Sequence, residues 1–84
     1  MTDRSEVIVL LQEACRKVLG QESPVITEDL ALGTDSIDSL ELIEVMIEIE
    51  DRLGVRFRDS DFDGVATVGE LVDILMTRLQ PVHA

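Results

Sequence analysis

Three stretches of this chain repeat apolar residues at intervals of three and four, and the segments between them are rich in Gly, Pro, Ser, Thr and Asp. That period lines side chains along one face of an α-helix, and no strand-type alternation competes with it. A chain of 84 residues buries only roughly 60 to 65% of its unfolded surface, which supports a single core. The expected architecture is therefore one all-α domain spanning residues 1–84. It should be a small four-helix bundle of three main helices and one short one, with a long loop after the first. Only Phe57 and Phe62 are aromatic, so Leu, Ile and Val must do most of the packing.

The first helix is expected over about 4–19, with Val7, Leu11, Ala14 and Val18 on its inner stripe and Ile8, Leu10 and Cys15 widening it. Asp3 followed by Glu6 resembles a capping box, Arg16 and Lys17 suit the negative end of the helix dipole, and Gly20 can take a left-handed turn. Residues 20–37 lose the pattern and contain Pro24 and Gly33. A connection this long needs anchoring, for which Val25, Ile26, Leu30 and Leu32 are available. Asp38 is a good N-cap for a second helix over about 38–53, with Glu41 at its third position and Gly54 ending it. Its predicted buried stripe is Leu42, Ile43, Met46, Ile49 and Leu53. A short helical turn is expected over about 59–64. Thr67 should cap a last helix over about 67–79, with Val68, Leu71, Val72, Leu75 and Leu79 inward and Pro81 as the stop.

Eighteen acidic against seven basic residues give a net charge of −11, which argues against a nucleic-acid binder and favours partners with basic patches. The carboxylates are not evenly spread: Glu41, Glu44, Glu48 and Asp51 recur at intervals of three and four, stacking like charge along the second helix. That arrangement costs stability and asks for a functional reason. A single cysteine, Cys15, permits no internal disulfide, and neither a leader nor a run of about 18 apolar residues is present. The expectation is a cytoplasmic monomer without a membrane segment, and Cys15 reads as a small core residue. With one histidine, His83, no tyrosine and a single lysine, the chain offers no activated nucleophile or acid/base pair, so catalysis is not expected.

Asp38-Ser39-Leu40 followed by ELIEVMIEIEDRLGV resembles the signature of the acyl and peptidyl carrier proteins. With Ser39 taken as that family's modified serine, the match runs without a gap from Asp38 to Leu75. It includes Leu53-Gly54, Asp59 and Thr67-Val68; the first helix and the loop match in pattern only. The resemblance implies a non-catalytic carrier that bears 4'-phosphopantetheine, taken from coenzyme A, on Ser39. Its cargo would be a thioester of fatty-acid, polyketide or aminoacyl/aryl type. It also implies partners: a phosphopantetheinyl transferase, a loading enzyme or ligase, and a ketosynthase or other acyl-processing enzyme. A serine in the first turn of a helix suits that role, because a phosphodiester there meets unpaired backbone N–H groups and the positive end of the dipole. Leu40 and Ile47 lie off the main core stripe. On the resemblance they form an apolar spot for partners, ringed by Asp38, Glu44, Glu48, Glu50 and Asp51.

Two features compete with this reading. Gly33-Thr34-Asp35-Ser36-Ile37 also resembles the family's Gly-X-Asp-Ser-Leu loop, which would make Ser36 the modified residue. Aligning on Ser36 puts three extra residues into the second helix and rotates its remainder by roughly 60°. Aligning on Ser39 leaves them in the loop, where insertions cost little. Separately, Asp59-Ser60-Asp61-Phe62-Asp63-Gly64 with Glu70 as twelfth residue satisfies the EF-hand calcium-loop pattern. The alternative function is thus a calcium-binding interaction module over residues 59–70. Against it, Gly54 to Arg58 breaks the entering helix and no second loop is present to pair with, so no metal ligand is assigned.

Overall fold

The computed structural model describes residues 3–34 and 36–79. Helix α1 spans Arg4–Leu19, α2 Ser39–Leu53 and α3 Val68–Leu79, with 3₁₀ turns at Gly20–Glu22 and Asp59–Phe62. The expected three long helices and one short one are present, the short one as a 3₁₀ turn. Pro81, His83 and the side chain of Leu79 lie outside the described residues.

Each helix begins where its cap dictates. The Asp3 carboxylate accepts the Glu6 N–H at 3.0 Å, and Asp38 accepts the Glu41 N–H at 2.8 Å while Glu41 accepts the Asp38 N–H at 3.1 Å. This reciprocal box satisfies two donors and fixes the first turn of α2. Gly54 ends that helix in the left-handed region, at φ 68° and ψ 29°, and its N–H bonds the Glu50 carbonyl. A side chain there would meet the steric penalty that glycine avoids.

The core is aliphatic and draws on all three helices: Val7, Leu11, Ala14 and Cys15 from α1, Val45, Met46 and Ile49 from α2, and Val68, Leu71, Val72 and Leu75 from α3. Burial pushes the Cys15 thiol up to about 11, with Glu41 adding repulsion. A thiol so protonated behaves as a small hydrophobe. Two packing expectations fail. Ile43 is 55% exposed and its place in the core belongs to Val45; α2 is apolar over so much of its circumference that periodicity alone does not choose the buried arc. Val25 is 76% exposed, turned outward between two held backbone groups.

Those groups explain how the long connection is fixed. Gln12 of α1 accepts the Ile26 N–H through Oε1 at 2.8 Å and donates from Nε2 to the Pro24 carbonyl at 3.1 Å. Farther along, the carbonyls of Glu28 and Leu30 accept the N–H groups of Gly69 and Val68, at 2.7 and 2.9 Å, and Leu32 N–H donates to the Ala66 carbonyl at 2.8 Å. The connection thus satisfies donors that the start of α3 cannot satisfy itself. Ile26, Leu32 and Ile37 are buried beneath it. Arg4 adds a clamp, reaching Glu28, Asp73 and the Gly69 carbonyl, and both carboxylates raise its pKa.

Gln12→Ala leaves the half-buried Ile26 N–H without its acceptor. It should lower unfolding stability by about 1–2 kcal/mol in urea titrations, with α1 retained, because an unmade hydrogen bond costs on that order.

Candidate functional site

Ser39 is the first residue of α2 and is exposed. The capping box occupies the Glu41 N–H, and the Leu42 N–H bonds the Asp38 carbonyl at 2.9 Å. The N–H of Leu40 makes no hydrogen bond among the described residues, which leaves a donor beside the hydroxyl at the positive end of the helix. Asp38 and Glu41 oppose an anion there, yet both carboxylates are turned onto backbone donors. Among the described residues no side chain hydrogen-bonds the hydroxyl, and the chain's single histidine, His83, lies outside them.

The glycine that spacing sets six residues before Ser39 is brought next to it. Gly33 (φ 73°) and Thr34 both donate to the Ile37 carbonyl, at 2.8 and 3.0 Å, which brings Gly33 close to the start of α2. A methyl group on Gly33 would stand 3.9 Å from Ser39 Oγ. The approach to the hydroxyl is therefore bare on that side, and the extra residues are absorbed before the helix, as alignment on Ser39 requires. Ser36 is also exposed but precedes the cap, with its N–H 3.4 Å from Thr34 Oγ1.

A groove of about 400 Å³ opens from Ser39 along α2, walled by Leu42, Ile43, Met46 and Ile47 on one side and Phe57 and Phe62 on the other, with Glu50 at its rim. Sequence reasoning missed it. Its second wall comes from a segment whose position depends on tertiary contacts: the Phe57 N–H donates to Glu50 Oε2 at 2.8 Å, and the two rings meet edge to face at 5.4 Å.

The expected docking residues divide. Leu40 and Ile47 are exposed apolar side chains on α2, and Asp38, Glu44 and Asp51 are exposed around them. Glu50 is half-buried and holds Phe57. Glu48 departs from expectation. Its side chain is only 15% exposed, its Oε2 accepts Arg52 Nε at 2.8 Å, and its Oε1 lies 3.3 Å from Lys17 Nζ of α1. Those cations hold its carboxyl below the usual range, and Arg52 also reaches Glu13 at 3.5 Å. Glu48 joins α1 to α2 instead of facing a partner.

The calcium-loop reading is not supported. Glu70 Oε1 accepts the Ala66 N–H at 3.1 Å and Thr67 Oγ1 at 3.3 Å, completing the cap of α3. Asp61 Oδ2 accepts the Arg58 N–H at 2.8 Å and Arg78 at 2.7 Å, and these donors hold its carboxyl low. The Asp59 side chain lies outside the described residues. An acidic turn leading into a capped helix accounts for the pattern.

The family model described as "Phosphopantetheine attachment site" matches residues 9–75, and the chain belongs to that family of carrier proteins. It is similar to an acyl carrier protein of an Exiguobacterium species, 32% identical over 77 residues that cover 90% of this chain and 98% of the relative. An acyl carrier protein of Saccharopolyspora erythraea is 33% identical over 86 residues, covering 98% and 90%. A meromycolate extension acyl carrier protein of Mycolicibacterium aurum is 36% identical over 70 residues, covering 82% and 72%. No solved structure matches. The family is one of non-catalytic carriers, and the group it bears is 4'-phosphopantetheine. The start of α2, the exposed hydroxyl and the nearby Gly33 fit a phosphodiester-linked arm. No described helix is long and apolar enough to cross a membrane.

Glu48→Gln tests the helix-joining role. A carboxylate whose folded pKa is lowered stabilises fully above its unfolded value of about 4.3 and loses that contribution as pH falls through the lower folded value. The variant should melt below the unsubstituted protein at about pH 7, and the gap in Tm should close as the pH falls through the lowered folded value. A gap independent of pH would assign the loss to packing.

Proposed function

We propose that this chain is an acyl carrier whose arm is esterified to Ser39 and whose Leu40–Ile47 face meets partner enzymes. The observation that carries the proposal is the exposed Ser39 hydroxyl at the first position of α2, with Gly33 beside it. When bound, the group supplies a terminal thiol that carries the acyl cargo as a thioester. The chain's own residues hold and present. Asp38 and Glu41 fix the helix start, the Leu40 N–H favours the phosphodiester charge, and Gly33 leaves room for an approaching transferase. Attachment makes a bond from Ser39 Oγ to phosphorus and breaks the pyrophosphate bond of coenzyme A. The adenosine bisphosphate leaves with the electron pair, and the transferase must supply the base that takes the hydroxyl proton.

Docking follows from charge and shape. Leu40 and Ile47 offer a small apolar contact, and Asp38, Glu44 and Asp51 surround it with carboxylates that steer basic surfaces at long range. Exposed pairs are individually weak and screened by salt, which lets a carrier leave one enzyme for the next. A phosphopantetheinyl transferase, a loading enzyme or ligase and a ketosynthase-like enzyme fit this face. The cargo is of fatty-acid, polyketide or aminoacyl/aryl type, and the carrier works as a cytoplasmic monomer.

Incubation with coenzyme A and a broad-specificity transferase should raise the intact mass by one phosphopantetheine for the unsubstituted protein and for Ser36→Ala, and leave Ser39→Ala unchanged. Full modification of Ser39→Ala and none of Ser36→Ala would move the site to Ser36.

A further inference from the structure

Most cations of this acidic chain are paired inside the fold. Arg4 holds Glu28 and Asp73, Lys17 and Arg52 hold Glu48, and Arg78 holds Asp61. Three form no ion pair among the described residues: Arg16 in the last turn of α1, Arg58, whose N–H and charge act on Asp61, and Arg56. Arg56 does not sit on a loose loop. Val55 and Phe57 are half-buried while Arg56 and Arg58 are exposed, the alternation of an extended segment. Phe57 is pinned three ways: its N–H donates to Glu50 Oε2 at 2.8 Å, its ring meets Phe62 at 5.4 Å, and the Arg78 guanidinium lies 5.9 Å from its centroid. The residue before it is therefore presented outward from a fixed backbone.

Arg56 borders the face proposed for docking. It lines a hollow of about 300 Å³ together with Ile47, Glu50 and Asp51. Glu50 is turned onto the Phe57 N–H, and the favourable place for a cation in the last turn of α2 is already taken by Arg52. The face thus changes character along the helix. Asp38 and Glu44 make it negative near Ser39, Leu40 and Ile47 give it an apolar middle, and Arg56 sets a guanidinium beside Asp51 at the far end. From Ser39 to Leu53 the helix rises roughly 21 Å at 1.5 Å per residue. That is more than twice the screening length of about 8 Å at physiological salt, so a docked surface meets the two ends as separate charges.

We infer that Arg56 selects among partner enzymes: it pairs with a carboxylate on the docking surface of the enzyme this carrier serves, and it repels enzymes whose docking surface is basic throughout. The inference rests on docking at the Leu40–Ile47 face. A guanidinium matches a carboxylate in planar, two-point geometry. Such an exposed pair adds little affinity but fixes orientation, and a like-charge contact at the same spot rejects the wrong partner. The fitting enzyme is basic where the arm enters and acidic roughly 20 Å farther along the docked helix.

The test uses the loaded carrier, its loading confirmed by intact mass, and ketosynthases of known structure. These are sorted into those with a basic surface all around the active-site entrance and those with an Asp or Glu at its far edge, and KM for the carrier is measured with each. Arg56→Glu should lower KM several-fold for the first group and raise it several-fold for the second; Arg56→Ala, the milder change should charge reversal disturb the fold, should shift both the same ways by less. Replacing the enzyme's acidic residue by Lys should restore the KM that Arg56→Glu loses. A shift in one direction for both groups would reduce Arg56 to part of the net charge, and no shift in either would remove it from docking; each result overturns the inference. Ile47→Ala reads the docking face separately and should raise KM for every enzyme. A KM unmoved by Ile47→Ala would place docking elsewhere, and the role of Arg56 would fall with it.

Discussion

The constraint on which the rest of the structure depends is the pairing of the long α1–α2 connection with the start of α3. Backbone N–H groups at a helix start need partners, and so do the carbonyls of a chain that runs without regular structure over a core. Here each set supplies the other: Glu28 and Leu30 accept from Gly69 and Val68. Once these bonds form, Ile26, Leu32 and Ile37 are drawn under the connection, and the point at which α2 begins is settled. The loop-closure cost of so long a segment is modest, because it grows only logarithmically with length, and a few well-placed bonds offset it.

Function follows from where that starting point lies. The capping box orders the first turn of α2 while leaving Ser39 exposed, and the fold of the preceding loop brings Gly33 near the same hydroxyl. The acidity of α2 works against compactness, yet it is not uniform. Glu48 is drawn inward by Lys17 and Arg52, Glu41 caps, and Glu50 holds the groove wall. The carboxylates left outward, Glu44 and Asp51 beside Asp38, surround Leu40 and Ile47. Stability and the proposed docking thus draw on different members of one charged helix.

Helix positions were legible in the sequence because the caps are local: Asp3, Asp38, Gly54 and Thr67 each act within a turn of their own position. Ser39, the proposed attachment residue, was read from the motif and the charge that follows it, and α2 begins at that residue. What escaped depends on contacts between distant segments. Val25 faces outward because Gln12 grips the residues on either side of it, and Val45 displaces Ile43 because neighbouring helices select the buried arc. Glu48 turns inward for a lysine thirty-one positions earlier in the chain. The closeness of Gly33 to Ser39 is invisible to spacing, since six residues in sequence say nothing of how a loop folds back. The groove needed Phe57 and Phe62 to be placed by Glu50 and Arg78, which no periodic pattern encodes.

The central claim is the location of the arm, and fragmentation mass spectrometry of the loaded, unsubstituted protein reads it directly. Backbone cleavages between Ser36 and Ser39 should carry the added mass only on fragments that contain Ser39. Added mass on fragments that end before Asp38, with Ser39 unmodified, would contradict the account.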